Sequence, residues 1–455
     1  MGRVRPTVLV AGIDAAGRPA HPALAPALAG AGLVVGAARH LAAVPLAPGC
    51  ATVVLGPLAP ALRRLTAAVA AGTPAVVLAS GDPGFFGIVR RLRSAGLPLR
   101  VLPAVSSVAA AFARAGLPWD GAAVVTAHGR DPRPALNACR ALPAVAVLTA
   151  PGAGAAELGA GLAGWDRRLV VAEHLGTPDE RVTWTTPAEA AATAWSDPHV
   201  VLCLAAEAVP GRVDGAPRPS STASTAGNPG TAEDAGRGPA GPPTGGVDGT
   251  RAGDRPAAAG VAGMRADDQP AAAPAGGWAL PESAYAHRDS MITKAEVRAL
   301  AVARLRPRLG RLVWDVGAGS GSVGIECALL GAAVLAVERD PDAPIRTNAA
   351  RHGVDVRVVT GAAPAALVGL PDPDAVFVGG GGVDVLAAVA DRRPPRVVVT
   401  LAALDRIAPA VHLLRAAGYA VDGCQLAAAR LADLPGGSLR LAATNPVVLL
   451  TAEQP

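Results

Sequence analysis

The stretch 209–277 limits what this 455-residue chain can become more than any other feature. It runs through Ala, Gly, Pro, Thr, Ser and Asp, as in STASTAGNPGTAEDAGRGPAGPPTGG, with almost no large apolar side chain. Ordering a residue costs roughly 1–2 kcal/mol of backbone entropy, and so little apolar surface cannot offset it. The stretch therefore reads as a flexible, disordered linker between residues 1–208 and 278–455, two domains of ordinary size that act as tethered partners.

Within each segment, short β-branched runs alternate with alanine-rich helical segments, which indicates α/β layers. Strands are expected at 7–11, 75–79, 99–102, 122–126, 144–148, 169–172 and 199–204 in the first. In the second they are expected at 311–316, 333–338, 355–360, 375–378 and 396–400, each followed by a helix, which predicts a doubly wound parallel sheet. A late pair at 439–443 and 447–451 is expected to close that sheet antiparallel. Ligands of such sheets sit at the carboxyl ends of strands, so AGIDAAG, SGDPGFFG, PAVSSVAAAF and TAHGRDPRP mark a site in the first domain.

Charge narrows the ligand. The net charge of +5 favours an anionic small molecule, and no basic cluster of the kind that tracks a phosphate backbone is present, which argues against nucleic acid. Of the 41 basic residues only Lys294 is lysine. Arginine grips carboxylates through a planar fork, so an arginine-lined cleft suits a polycarboxylate, although most arginines are expected on the solvated surface. The five cysteines show no paired spacing and read as reduced thiols of a cytoplasmic protein, with no metal site. The apolar stretch at the amino end is too short for a signal peptide, and no apolar run reaches the length of a membrane span.

In the second segment, LVWDVGAGSGSVGIE places a strand, then Gly317, Ala318, Gly319, Ser320 and Gly321, then a helix from about Ser322. Glycines let backbone pass close beneath a ligand, and the helix start offers unpaired N–H groups. Glu338, ending the next strand in AVERDP, suits ribose hydroxyls. Gly319, Gly321 and Gly324 also spell the dinucleotide pattern, so a nicotinamide-dependent reductase is a rival. Asp315 argues against it: a carboxylate there would repel a pyrophosphate and suits the amino group of a bound methionine.

The run MITKAEVRALAVARLRPRLGRLVWDVGAGSGSVGIE, followed by VERDP, TGAAPAAL, DAVFVGGGG and TNPVVLL, resembles the decarboxylating, C-15-methylating precorrin methyltransferases, with a Rossmann-like methyltransferase sheet. The resemblance implies S-adenosylmethionine contacts at Thr293, at 317–321, at Glu338, and at Gly361 with Ala363; Ala362 replaces the usual acid of that last turn. Lys294, beside Thr293, is a candidate partner for a substrate carboxylate or a developing charge.

In the first segment SGDPGFFG holds two of only four phenylalanines, too scarce to be loop filler. With VLVAGIDAAG and RLRSAGLPLRVLPAVSSVAAAFARAGLPWDGAAVVTAHGR it resembles the C-5-methylating tetrapyrrole methylases, a two-lobed α/β fold. That resemblance implies a second S-adenosylmethionine site formed by Gly12, Gly81, Asp82, Phe86, Ser106 and Ser107, with Asp14 in place of a usual glycine. His128, Gly129 and Arg130 are candidates for the tetrapyrrole side, and the residue assisting decarboxylation is not legible. Together the resemblances imply methylation of precorrin-6B, or its cobalt form, at C-5 and C-15 with loss of the ring C acetate carboxyl, giving precorrin-8 for cobalamin biosynthesis in a homo-oligomer. A non-catalytic tetrapyrrole carrier is the rival outside enzymes.

Overall fold

The computed structural model describes residues 7–14, 18–128, 131–206, 277–288 and 292–455. The linker expected at 209–277, except Gly277, lies outside them, as do Gly129 and Arg130.

The first lobe is a parallel sheet of β1 (Val8–Ile13), β2 (Leu33–Gly36), β3 (Ala51–Val54), β4 (Ala75–Ser80) and β5 (Leu99–Leu102) in the order β3-β2-β4-β1-β5. Helices α1 (Leu24–Ala29), α2 (Ala38–Ala42), α3 (Leu58–Ala71) and α4 (Val89–Ser94) accompany it. Apolar layers cover both faces: Val10, Val35 and Val77 meet Leu65 of α3, while Ile13, Val34 and Leu78 meet Leu24 and Leu28 of α1. Burial on two sides is why β1 and β4 read as continuous apolar runs. β2 and β3 were not expected; each has four residues, and β3 lies at an edge with most of its side chains in solvent.

The second lobe holds β6 (Ala123–Thr126), β7 (Ala144–Leu148), β8 (Arg167–Glu173), β9 (Arg181–Thr185) and β10 (His199–Ala205), ordered β6-β7-β10-β8-β9, in which only β6 and β7 run parallel. It carries α5 (Ser107–Ala115), α6 (Arg133–Ala141), α7 (Ala155–Gly161) and α8 (Pro187–Ala192). Phe112 of α5 packs on one face against Val170 and Leu202, and α6 to α8 cover the other.

The carboxyl-terminal half has β11 (Leu312–Val316), β12 (Ala333–Glu338), β13 (Arg357–Thr360), β14 (Ala375–Val378), β15 (Arg396–Leu401), β16 (Ala420–Leu426), β17 (Ala429–Asp433), β18 (Leu439–Ala443) and β19 (Val447–Glu453). Seven strands form one sheet in the order β13-β12-β11-β14-β15-β19-β16, with β19 antiparallel to both neighbours. β18 does not join it, as had been expected of 439–443; it pairs with β17 in a separate ribbon. Helices are α9 (Ala295–Leu305), α10 (Ser322–Leu329), α11 (Ile345–Arg351), α12 (Val383–Asp391) and α13 (Ile407–Ala416). One face, through Val334, Ala336 and Phe377, packs on α9 to α11.

The other face departs from the expected pattern. No helix follows β13; the connection to β14 makes only a single 3-10 turn, Ala365–Leu367. While α12 and α13 cover β14 and β15, α6 of the second lobe packs over β12. Ala135 and Ala138 of α6 share one apolar layer with Leu335 and Val337, and their small side chains let the helix lie between two sheets. Polar pairs fix the join: the Asn137 amide donates to the Gly310 carbonyl at 3.1 Å, Arg133 pairs with Asp374 at 2.8 Å, and the Arg357 guanidinium sits 5.9 Å from the Trp165 ring centroid. The two folded halves are thus packed together, not merely tethered as the sequence had suggested.

Candidate functional site

In the carboxyl-terminal half a cavity of about 1060 Å³ opens above the carboxyl ends of β11, β12, β14 and β15. Its floor is the turn after β11. Gly317 and Gly319 have φ of 72° and 55°, the left-handed region where side chains are strained, and a Cβ on Gly317 would stand 3.0 Å from the Gly380 nitrogen. The segment 379–382 after β14 therefore lies directly against the first turn, a contact only glycine allows. Glu338 ends β12 with its carboxylate in the wall, accepting from the Gly319 amide at 2.8 Å and from the Asp340 amide at 3.1 Å. A carboxylate has about four lone-pair positions, so this fixed group keeps acceptor capacity for ligand hydroxyls.

Thr293, Lys294, Gly317, Ala318, Gly319, Ser320, Glu338, Gly361, Ala362 and Ala363 all line this cavity. Gly321 does not; with φ of 75° it caps the start of α10. Asp315 is the correction. Its side chain is buried behind the turn, where Oδ2 accepts from the Gly324 amide at 2.8 Å and Oδ1 has no partner. It holds the turn to the helix and does not face the cavity, because the side chain leaves β11 on the α10 side. Burial first, and the charge of Glu338 with it, push its carboxyl up to about 7 against the pull of that amide. Sequence reasoning missed His287, Arg288, Arg339 and Asn445, which complete the wall with two guanidinium groups.

The second cavity, about 940 Å³, lies in the cleft between the lobes of the first half. Phe86 stands at its mouth with φ of 51° and 47% of its surface exposed, its ring edge-on to Phe85 at 5.0 Å. An exposed aromatic on a left-handed backbone is a conformation the surrounding loop must enforce. A Cβ on Gly87 would lie 2.2 Å from the Pro83 carbonyl oxygen, which explains the glycine after it.

Phe86, Ser107, His128 and Asp14 line the cleft. Gly12 and Gly81 lie behind the wall, where a Cβ on Gly12 would come within 2.2 Å of the Gly81 carbonyl oxygen. Asp82 and Ser106 use their side chains locally: Asp82 accepts from the Gly84 amide at 2.7 Å, and Ser106 caps α5 by accepting from the Ala109 amide at 3.1 Å. They shape the wall; they do not form it. Sequence reasoning missed a polar group at the base of the Phe86 loop. His40, in α2, and Ser80, ending β4, meet with Nε2 and Oγ 3.0 Å apart, and Arg39 donates to that same Oγ at 2.9 Å. Arg90 and Arg91 of α4 add positive charge to the same cleft.

None of the described helices is long and apolar enough to cross a membrane. Among the described residues no group of histidine, cysteine and acidic side chains is arranged to hold a metal ion.

The family model for the precorrin methyltransferase domain matches residues 283–452, and that for the tetrapyrrole (corrin/porphyrin) methylases matches residues 23–191. The chain is 37% identical over 372 residues to the precorrin-6Y C(5,15)-methyltransferase (decarboxylating) of Sinorhizobium sp, covering 78% of this chain and 73% of that one. The "Probable cobalt-precorrin-6B C(15)-methyltransferase (decarboxylating)" of Pyrobaculum calidifontis is 36% identical over 185 residues, 38% of this chain and 94% of that protein. Among solved structures, the precorrin-6Y C5,15-methyltransferase of Geobacter metallireducens GS-15 is similar at 34% identity with a TM-score of 0.37, covering 38% of this chain and 97% of that one.

Proposed function

From the premise that the chain belongs to the precorrin-6Y C(5,15)-methyltransferase (decarboxylating) family, we propose that its two halves divide one double methylation between them. The chain is a decarboxylating C-methyltransferase of cobalamin biosynthesis. The first half methylates position 5 of a precorrin-6B-type ring, in its metal-free or cobalt form. The second methylates position 15 as the ring C acetate loses carbon dioxide. Each half binds its own S-adenosylmethionine, whose sulfonium supplies the methyl group. The observation that carries this reading is the pair of separate cavities, of about 1060 and 940 Å³, each at the carboxyl ends of strands and each shaped by turns that only glycine can make.

The residues present fit that donor. In the second half Glu338 is held by two backbone amides with acceptor capacity left for ribose hydroxyls, and the turn 317–321 gives a ligand close approach to backbone. Thr293, Gly361 and Ala363 bound the same space, and Lys294, which lines it too, is the candidate partner for a substrate carboxylate. In the first half the Phe86 ring and Ser107 face the donor, while Arg39, Arg90, Arg91 and His128 face a carboxylate-bearing ring. Methyl transfer needs the ring carbon aligned with the methyl group, and positioning of this kind is worth up to roughly 7–11 kcal/mol. Self-association and a cytoplasmic location complete the reading.

Incubation with precorrin-6B and isotopically labelled methyl donor tests it by mass spectrometry. Two labelled methyl groups and loss of carbon dioxide are expected. Calorimetry with S-adenosylhomocysteine is expected to report two sites per chain and NADH none; binding of NADH alone would replace this reading with a reductase.

A further inference from the structure

Position 5 of a tetrapyrrole bridges two rings and carries one hydrogen. When that carbon takes the methyl group, the S–CH₃ bond breaks and a C–CH₃ bond forms. The carbon is left tetrahedral, holding both hydrogen and methyl, and the ring gains one positive charge. Conjugation returns only when the C–H bond breaks and its electron pair re-enters the ring, so a proton must leave to an acceptor inside the cleft.

We infer that His40, acting through the Ser80 hydroxyl, accepts the proton released at position 5 in the first half. This rests on the reading that this half methylates that position. The step balances: Ser80 Oγ takes the proton from the ring carbon as its own proton passes to His40 Nε2, and the C–H electrons return to the macrocycle.

Three observations carry the inference. His40 and Ser80 are 40 residues apart, yet the parallel pairing of β2 with β4 brings the helix that follows β2 beside the end of β4, and both residues line the cleft. His40 is 4% exposed while Ser80 is open to the cleft, so the hydroxyl stands between imidazole and substrate. The hydrogen bonding also fixes which nitrogen is free of a proton. Arginine can only donate, and Arg39 directs Nε at His40 Nε2, 3.4 Å away, and Nη2 at Ser80 Oγ, 2.9 Å away. With Nε2 facing the Arg39 donor, the proton between Nε2 and Ser80 Oγ, 3.0 Å apart, belongs to the hydroxyl. Nε2 is thereby the acceptor and the ring is neutral, ready to receive a proton.

The surroundings agree. Burial, and then the adjacent Arg39 guanidinium, hold the imidazole below its ordinary pKa, which favours the unprotonated ring. A weak base suffices, because a proton on a cationic tetrahedral carbon is acidic. The other charged or titratable groups facing this cleft are Asp14, Arg90, Arg91, His128 and His174. His199 also borders it, but its Nε2 accepts from the Ala155 amide at 3.1 Å and its Nδ1 lies 3.0 Å from the Ser196 carbonyl, so both nitrogens are occupied.

The test measures position-5 methylation by the intact chain with ring substrate carrying hydrogen or deuterium at that carbon. In the wild type methyl transfer is expected to limit the rate, so that no primary isotope effect is seen. In His40→Gln the rate is expected to fall on the order of 100-fold, the usual share of a general base, and a several-fold isotope effect appears because proton loss has become limiting. Ser80→Ala is expected to show the same isotope effect with a smaller loss. Arg39→Gln is expected to move the acid limb of the pH profile to higher pH, since a charge that disfavours the imidazolium is gone. Unchanged affinity for S-adenosylhomocysteine in each variant shows that the cleft is intact. His40→Gln and Ser80→Ala variants that keep the wild-type rate without an isotope effect would overturn the inference while leaving the methylase reading in place. A wild-type chain that adds no methyl at position 5 would overturn both.

Discussion

Arg167 and Asp355, 188 residues apart, meet at 2.6 Å across the join between the halves. The guanidinium is almost wholly buried in the first half, where it also donates to the carbonyls of Cys139 and Arg140, each at 2.6 Å. Asp355 is 40% exposed, so the two partners are unequal.

That inequality predicts unequal mutants. Arg167→Ala leaves buried carbonyls without a donor, at about 1–3 kcal/mol for such a group, so a loss of roughly 2–4 kcal/mol is expected. Asp355→Asn removes only a half-exposed charge and should cost about 0.5–1 kcal/mol. Urea unfolding of both variants checks the ratio; equal losses would mean that the pair, and not the carbonyl anchoring, matters.

Asp315 makes stability depend on pH. Its carboxyl is raised from 3.8 to about 7 in the fold, so the native state holds its proton more tightly than the unfolded chain. Below about pH 4 both states are protonated and the site is neutral in its effect. As pH rises from about 4 to 7 the unfolded state ionises first, and the native state loses up to a few kcal/mol. Asp315→Asn keeps an oxygen for the Gly324 amide and cannot ionise. Its unfolding free energy, measured at pH 5 and pH 8, should vary less than that of the wild type.

Gly317→Ala tests the turn. Its φ of 72° costs an alanine roughly 1–2 kcal/mol, and the new methyl would press on Gly380 at 3.0 Å. Calorimetry with S-adenosylhomocysteine should fall from two sites to one, with the cleft of the first half unaffected. Two intact sites would remove this turn from the donor pocket.

Lys294 faces the cavity as the chain's one lysine among 41 basic residues. A compact ammonium and a planar guanidinium do not fill one another's place. Lys294→Arg is expected to lower position-15 methylation and carbon dioxide release by about tenfold, and Lys294→Met by more. Unchanged turnover in Lys294→Arg would dismiss a specific role.

What the sequence makes legible follows from burial. β12 and β14 are covered on both faces and read as uninterrupted apolar runs, and the glycines after β11 announce a turn because no other residue takes their φ. β2 and β3 are too short for a period to emerge, and β3 is largely exposed. Asp315 was misread because its position in the motif says nothing about which side of the strand it leaves. His40 carries no spacing signal at all: it joins a site only once β2 lies beside β4. Its one clue was scarcity, as one of eight histidines next to an arginine. The alanines of α6 gave no sign that the helix serves two sheets.

That last helix has a consequence for how the protein can be handled. A carboxyl-terminal piece cut loose upstream of α9 would carry a bare strip of Leu335 and Val337, wetted along the line that α6 now covers. Such a fragment should stick to itself or to any greasy neighbour, and its behaviour in isolation would describe an orphan, not the working half of the intact enzyme.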